Sequence, residues 1–527
     1  MSNLPGLCRR NWDVFVLAGI LLVGGWLRVT RLELMEFKAD ECLLHALALK
    51  QARGDMQPVG LVSSVGIHNP AMAVNLFTIP ALFTKDPVRF ALLPAILNTI
   101  ALLAGYVLAR RWMSRPAALI AMFLFAVSPW AVLTSRKIWA QDLLPLFTIA
   151  FFLAVVAWLR KGRARHVVAI FVMLAVLNQI HYSTLAFWPI VAVAAWRRRR
   201  SGALAYWLAG AAIYVVMWLP FIVYQARTWP GDYARYIAAR GGVDASVTAN
   251  FAQAVGWQIS LMGQGGFDSV LDESTKAFGQ TVSLSVWLTV VFSLVLSSAL
   301  IVTLLCLKKQ PDLWVLVAWL GLPTLLLSFH WVIYHYFLAC YPVTFLMTGV
   351  LVDAAAVWAA SRIPSRSFRA ALAAAAIAFL LLVGSSEVTF FTRFLDFVSA
   401  RGGAQGDYGV TYRDKLNVAT YMKSAAGKAT FTLYDCTGAW PAEESYRYLY
   451  RMAGGPGKMV HSPVEGLPTT ELVFAVIAPG VKERFWDRAA FRDTETVPVG
   501  ALSVVSLKPR AAYDVSTSRT NTGAPSP

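Results

Sequence analysis

Apolar stretches of membrane-crossing length recur along most of this 527-residue chain, and clusters of basic residues punctuate them. A crossing helix needs about 20 apolar residues, within roughly 17–25. By that rule residues 12–30, 88–109, 116–134, 141–159, 167–181, 182–196, 203–224, 282–307, 313–330, 334–358 and 370–386 read as spans, which makes about 11 helices. Charged residues are 14% of the chain and hydrophobic residues 57%, whereas a soluble domain carries roughly 25% charge. An ordinary soluble enzyme and a disordered chain are both excluded. The first span follows Arg9-Arg10 and lacks a small-residue cleavage site, so it reads as an anchor.

The basic clusters set the topology. They are Arg9-Arg10; Arg110, Arg111 and Arg115; Arg160, Lys161, Arg163 and Arg165; Arg197 to Arg200; Lys308-Lys309; and Arg362, Arg366 and Arg369. With the spans above, all of them fall on one side, which the positive-inside rule makes cytoplasmic. The same bias accounts for the net charge of +18, so no nucleic-acid partner is expected. Two assignments follow. The stretch 70–84, with Pro70 and Pro80, is a re-entrant or interfacial segment, and 166–196 crosses twice with a turn near His181.

The outer side then receives a loop at 31–87, a turn near 135–141, a loop at 225–281 and the chain from about 387. Residues 414–426 and 442–453 pattern as helices, and 429–434 and 472–478 as strands, so 387–510 reads as a small α/β domain. The Ser/Thr/Pro/Gly-rich tail 511–527 reads as disordered. The expected architecture is an all-α polytopic membrane domain, 1–386, with a small C-terminal α/β extracytoplasmic domain. Five cysteines form no CxxC pair and no zinc spacing. Cys42 and Cys436 both fall outside, where a disulfide can form, although the sequence does not pair them.

Residues able to carry chemistry concentrate on that outer side. Asp40-Glu41 follows the first span and offers a general base or part of a cation site; it equally suits an acidic helix start before the apolar run from Cys42 to Leu49. Adjacent carboxylates admit Mg²⁺ or Mn²⁺ without requiring either. His68-Asn69-Pro70 can donate to an anion or turn the chain. Arg136 and Lys137 are cations against the positive-inside bias and suit a phosphate at headgroup level. Asp142 opens the next span, where the helix dipole favours its charge and where an acidic residue at membrane depth is a functional candidate. His181-Tyr182 and His335-Tyr336 are site candidates or members of the interfacial aromatic belt, and Arg89 is a lipid-phosphate ligand or a snorkelling anchor. No GxxxxGK[ST] loop is present, so an activated lipid or an ion gradient would supply the energy.

In order along residues 12–350, Leu27-Arg28-Val29-Thr30-Arg31-Leu32, Asp40-Glu41, His68-Asn69-Pro70, Arg89 before Leu93-Pro94, Ser128-Pro129-Trp130, Ser135-Arg136, Asp142, His181-Tyr182, and Tyr336-Phe337-Leu338 with Tyr341-Pro342 resemble the C-type glycosyltransferase superfamily. The likeness is to the family 39 protein mannosyltransferases and the lipid A aminoarabinose transferases. Asn69 stands where that pattern has a proline, and His335 where many members have an arginine. The resemblance implies an inverting transferase that moves a sugar from a polyprenyl-phosphate donor to a lipid, lipid A, glycan or protein acceptor outside the cytoplasmic membrane. It implies Asp40 as the base, Glu41 as its neighbour and Asp142 as the second acidic position, with the N-terminus cytoplasmic and the C-terminal domain periplasmic. Arg136, Lys137 and Arg89 would then meet the leaving phosphate. Two other readings stay open: a surface-polysaccharide polymerase or ligase using Arg227, Arg235 and Arg240, and a polytopic transporter or flippase.

Overall fold

The computed structural model describes residues 11–63, 66–198, 204–240, 246–281, 286–329, 332–437, 443–460, 472–479 and 491–509; the tail 511–527 and Arg9, Arg10, Arg199 and Arg200 lie outside the described residues. The α-helices longer than five residues are α1 (Trp12–Val29), α2 (Ala39–Ala52), α3 (Met72–Ala81), α4 (Pro87–Ala109), α5 (Arg115–Val127), α6 (Leu144–Lys161), α7 (Arg165–Ile180), α8 (Trp188–Arg197), α9 (Leu204–Thr228), α10 (Gly231–Arg240), α11 (Val247–Ser260), α12 (Val286–Cys306), α13 (Trp314–Leu327), α14 (Tyr341–Arg362), α15 (Arg366–Arg401), α16 (Tyr412–Ala426) and α17 (Glu443–Met452). Strands β1 (Val59–Val62) and β2 (His68–Pro70) form a hairpin. Strands β3 (Thr430–Cys436), β4 (Lys458–Val460), β5 (Leu472–Ile477), β6 (Phe491–Val499) and β7 (Leu502–Pro509) form a second sheet.

Among the described residues, seven helices are long and apolar enough to cross a membrane, and four shorter apolar helices accompany them. The chain is a multi-pass membrane protein. Segment 166–196 is divided as the charge pattern requires: α7 ends at Ile180 and the chain re-enters α8 through Tyr182–Phe187. At 1.5 Å per residue the ten-residue α3 is about 15 Å long, half of a ~30 Å hydrocarbon core. Two loops expected on the outer side are more ordered than their composition suggests. Residues 31–87 contain α2, the β1–β2 hairpin and α3, and most of 225–281 is helical.

The helix ends follow local chemistry. Asp86 accepts from the Val88 amide (3.0 Å) with Pro87 in the first turn of α4, and Gly162 ends α6 in a left-handed conformation that costs glycine little. Small residues let neighbouring helices approach: a Cβ on Gly349 of α14 would lie 2.5 Å from Met113 Sδ, and one on Gly210 of α9 2.6 Å from Phe171 of α7.

The chain divides into two compact units. Unit 1 comprises 1–32, 43–266 and 284–392; unit 2 comprises 33–42, 267–283 and 393–527. The expected boundary at 386/387 falls inside α15, which runs unbroken to Arg401. Hydropathy drops there, but Phe390, Phe391, Phe394, Leu395 and Val398 keep a buried helical stripe. In unit 2 the sheet order is β4-β3-β5-β7-β6, with β3 parallel to β4 and β5, and β7 antiparallel to β5 and β6. Its core includes Cys436, Val473, Ala475, Phe491, Val505 and Leu507. Cys42 and Cys436 are separate buried thiols, and burial pushes each up to about 12.

Candidate functional site

Unit 2 shapes the first-loop acidic motif. Ala39 starts α2, and Glu41 reaches back so that the Lys38 amide donates to its Oε2 (2.8 Å). This is the returning half of a capping box, and it commits a buried Glu41 to holding the helix start. Asp40, one residue earlier in the same turn, is exposed. The two adjacent carboxylates are thereby separated into a structural group and an outward one.

The segment carrying them is stitched into the C-terminal chain. The Tyr412 amide donates to the Met35 carbonyl (2.9 Å), the Tyr408 hydroxyl donates to the Leu34 carbonyl, and Glu36 pairs with Thr411. Phe37 sits between Tyr412 and Tyr448, with ring centroids 5.2 and 6.2 Å away. Lys415 is fully buried, and its Nζ donates to the Phe37 carbonyl (2.7 Å) and to Ser445 Oγ (2.9 Å). Burial pushes Lys415 down to about 8, against the pull of Asp435 and Glu41. Lys38 forms an ion pair with Glu36 (2.9 Å).

Unit 1 gathers a second set of groups where α7 ends. Tyr182 donates to the His68 carbonyl (2.8 Å) at the start of β2. The buried Asp232, in the first turn of α10, accepts from the His68 amide (3.1 Å) and from His68 Nδ1 (2.9 Å). Gln225 and Arg235 also donate to it. Burial alone would raise Asp232; the hydrogen bonds from Gln225 and His68 overcome it and hold the carboxyl below its usual range. Arg235 also donates through Nε to the Gly66 carbonyl (3.0 Å), and its side chain remains 48% exposed. With Nδ1 bound to a carboxylate, the ring of His68 is fixed and Nε2 is its remaining functional atom.

Beside Tyr182, His181 turns toward Tyr336, with ring centroids 5.5 Å apart, and toward His335 at 6.3 Å. His335 packs edge-on against Trp139 (5.0 Å), over which Lys137 Nζ lies at 4.0 Å. Lys137, His335, Tyr336, His181, Tyr182, His68 and Arg235 therefore form one continuous strip at the end of unit 1 opposite the basic clusters.

Three expected residues do other things. Arg136 is 3% exposed; it donates to the carbonyls of Leu27 (2.6 Å), Thr30 (2.6 Å) and Arg31 (3.0 Å). The guanidinium expected at a phosphate instead ties down the end of α1, where carbonyls lack helical partners. Arg89 is exposed in the first turn of α4 and pairs with Asp86 (3.7 Å). Asp142 is fully buried just before α6, with its carbonyl accepting from Asn98 Nδ2 (2.7 Å). Asp232 and Gln225 were not distinguished in the sequence; the one local sign was an acid in a helix start after Trp229-Pro230-Gly231. Among the described residues no three His, Cys, Asp or Glu side chains converge as a metal site.

No protein-family model matches the chain, and no curated protein matches it in sequence. Solved structures do match in shape. ArnT from Cupriavidus metallidurans, bound to undecaprenyl phosphate, superposes with TM-score 0.54 at 13% identity, covering 94% of this chain and 98% of that one. Its apo state gives 0.53 at 13% identity, covering 95% and 98%. The chain has the fold of these ArnT structures. An Archaeoglobus fulgidus oligosaccharyltransferase tethered to an acceptor peptide matches at TM-score 0.47 and 13% identity, covering 87% of this chain and 65% of that one.

Proposed function

We propose that this protein is a membrane glycosyltransferase that moves a sugar from a polyprenyl-phosphate donor to an acceptor nucleophile on the outer face of the cytoplasmic membrane. The N-terminus and the basic clusters are cytoplasmic in this reading, and unit 2 is periplasmic. The observation that carries it is the division of roles in the acidic motif, with Glu41 spent on the helix start and Asp40 turned outward, within a fold whose ArnT member was crystallised with undecaprenyl phosphate.

The acceptor O–H or N–H attacks the anomeric carbon while Asp40 takes its proton. The bond from that carbon to the donor phosphate oxygen breaks with inversion, and the electron pair leaves on the polyprenyl phosphate. Within unit 1 the Arg235 guanidinium, held in orientation by Asp232, is a group able to meet a phosphate. Lys137, buried with its Nζ over Trp139, lies along the same strip. His181, Tyr182, His335 and Tyr336 form its aromatic and hydrogen-bonding wall. Arg136 holds the end of α1. Lipid A, a glycan, a lipid or a protein can serve as acceptor under this chemistry.

The test is transfer from a panel of radiolabelled polyprenyl-phosphate sugars into membrane extracts, wild type against Asp40→Asn. Label that appears with wild type and is lost with the inserted variant supports the assignment. Full transfer by Asp40→Asn overturns it.

A further inference from the structure

At the opposite end of unit 1 a cleft of about 420 Å³ opens where α6 and α8 finish and α13 begins. Three guanidinium groups line it: Arg160, Arg197 and Arg198. Each is already oriented. Arg160 Nε donates to Asp312 Oδ2 (2.6 Å), Arg197 lies over the Trp314 ring at 5.2 Å, and Arg198 donates to the Leu159 carbonyl. Asp312 is the one carboxylate lining it, so three cations and one anion leave a local excess of positive charge. None of these side chains belongs to the strip at the other end.

The surroundings say what kind of anion fits. The cleft lies at the basic end of unit 1, where the positive-inside rule places the cytoplasmic leaflet. Beside it the outer face of α8 is apolar and uncovered, with Val193 39% and Trp196 66% exposed. Charge in the cleft with apolar surface running away from it matches an amphiphile whose head carries a phosphate, and basic pockets between membrane helices on this side commonly take such heads. Guanidinium groups suit phosphate oxygens through paired N–H donors. A volume of several hundred Å³ is ample for a headgroup.

We infer that this cleft is a binding site for a phosphate group in a net-anionic head, supplied by an anionic phospholipid headgroup or by soluble phosphate. It does not depend on the transferase reading. The test uses the purified full-length protein in uncharged detergent, with native mass spectrometry counting bound dioctanoyl phosphatidylglycerol or dioctanoyl phosphatidylcholine. Wild type is expected to bind the glycerol lipid at least tenfold more tightly. Arg197→Gln/Arg198→Gln is expected to lose that preference, whereas Lys308→Gln/Lys309→Gln, which removes the same charge at the same end, is expected to keep it. Retention by Arg197→Lys/Arg198→Lys shows that the site survives folding when its charge is preserved. Displacement by millimolar inorganic phosphate assigns the site to the phosphoryl group alone; resistance to displacement assigns it to the intact lipid head. Equal binding of both lipids by wild type, or an unchanged preference in Arg197→Gln/Arg198→Gln, overturns the inference.

Discussion

Replacing Lys415 with Met separates what this buried ammonium does for the fold from what it does for the acidic motif. Its fall from 10.5 to about 8 corresponds to about 3 kcal/mol of penalty for holding the charge in the folded state. Its removal also orphans the Phe37 carbonyl and Ser445 Oγ, at about 1–3 kcal/mol for an unsatisfied buried group. The two effects oppose each other and are of similar size, so Lys415→Met is expected to fold at pH 7. The folded group releases its proton near 8 while the unfolded one keeps it to 10.5. The unfolded state therefore binds more protons in that window, and stability rises as pH rises through it. Between pH 7 and 9.5 this amounts to about 2 kcal/mol, or roughly a 30-fold smaller opening constant.

The assay is hydrogen exchange read by mass spectrometry on the peptide covering 33–42, corrected for intrinsic rates, in wild type and Lys415→Met at both pH values. Other titrating groups contribute to both proteins, so the difference between the two responses isolates Lys415. That difference is expected to be about 2 kcal/mol. Transfer should fall about ten- to a hundredfold in kcat with donor KM little changed, because the tie at Phe37 lies three residues before Asp40 and misplacement of about 1 Å is costly. An identical pH response in the two proteins refutes the titration argument. Unchanged kcat refutes the claim that the tie positions Asp40.

Glu41→Gln keeps a side chain able to accept from the Lys38 amide, so it should lose under about 1 kcal/mol in exchange protection of 38–42 and retain most transfer; loss of transfer equal to that of Asp40→Asn would assign Glu41 a chemical role. Arg235→Gln should lower kcat/KM for the donor about tenfold or more, because it removes a half-exposed cation facing the strip; steady-state kinetics with unchanged values removes Arg235 from the site. Arg136→Gln should destabilise unit 1 by about 3 kcal/mol, since the carbonyls of Leu27, Thr30 and Arg31 at and just past the end of α1 lose a buried charged donor; thermal unfolding in detergent reads it, and a stable, folded variant without activity would return Arg136 to the phosphate. With Glu41 turned back on its own helix start, the acidic pair offers a cation one outward carboxylate, and transfer is expected to persist within about twofold in EDTA; loss restored by Mg²⁺ or Mn²⁺ would overturn that.

Most of the helical architecture was legible because its signals are local. Hydropathy finds the spans without knowing what they touch, and the charge bias divided 166–196 into α7 and α8. The composition of unit 2 was not legible in the same way. Its segment 33–42 is recruited by hydrogen bonds to residues such as Lys415, 378 positions away, and no periodicity encodes such a pairing. The same limit explains the site. Asp40 and Glu41 look equivalent as neighbours, and the capping bond alone distinguishes them. Asp232 had no motif to announce it, since the histidine it orients lies 164 residues earlier.

Cations in this chain are sorted by what surrounds them rather than by which side of the bundle they occupy. Arg28 and Arg136 are both buried and both donate to backbone carbonyls of α1, Arg28 also bonding the Ala126 carbonyl of α5 (3.0 Å). A guanidinium surrounded by carbonyls has its donors engaged in place of water, so little remains for a transient ligand. Arg235 is different: one face is held by Asp232 and Gly66, and nearly half of the side chain is open. A group that must meet a phosphate, release it and meet another needs that combination of fixed orientation and access. Arg136 is thus the weaker candidate for the phosphate, and Arg235 on α10, held by Asp232 beside His68, is the stronger.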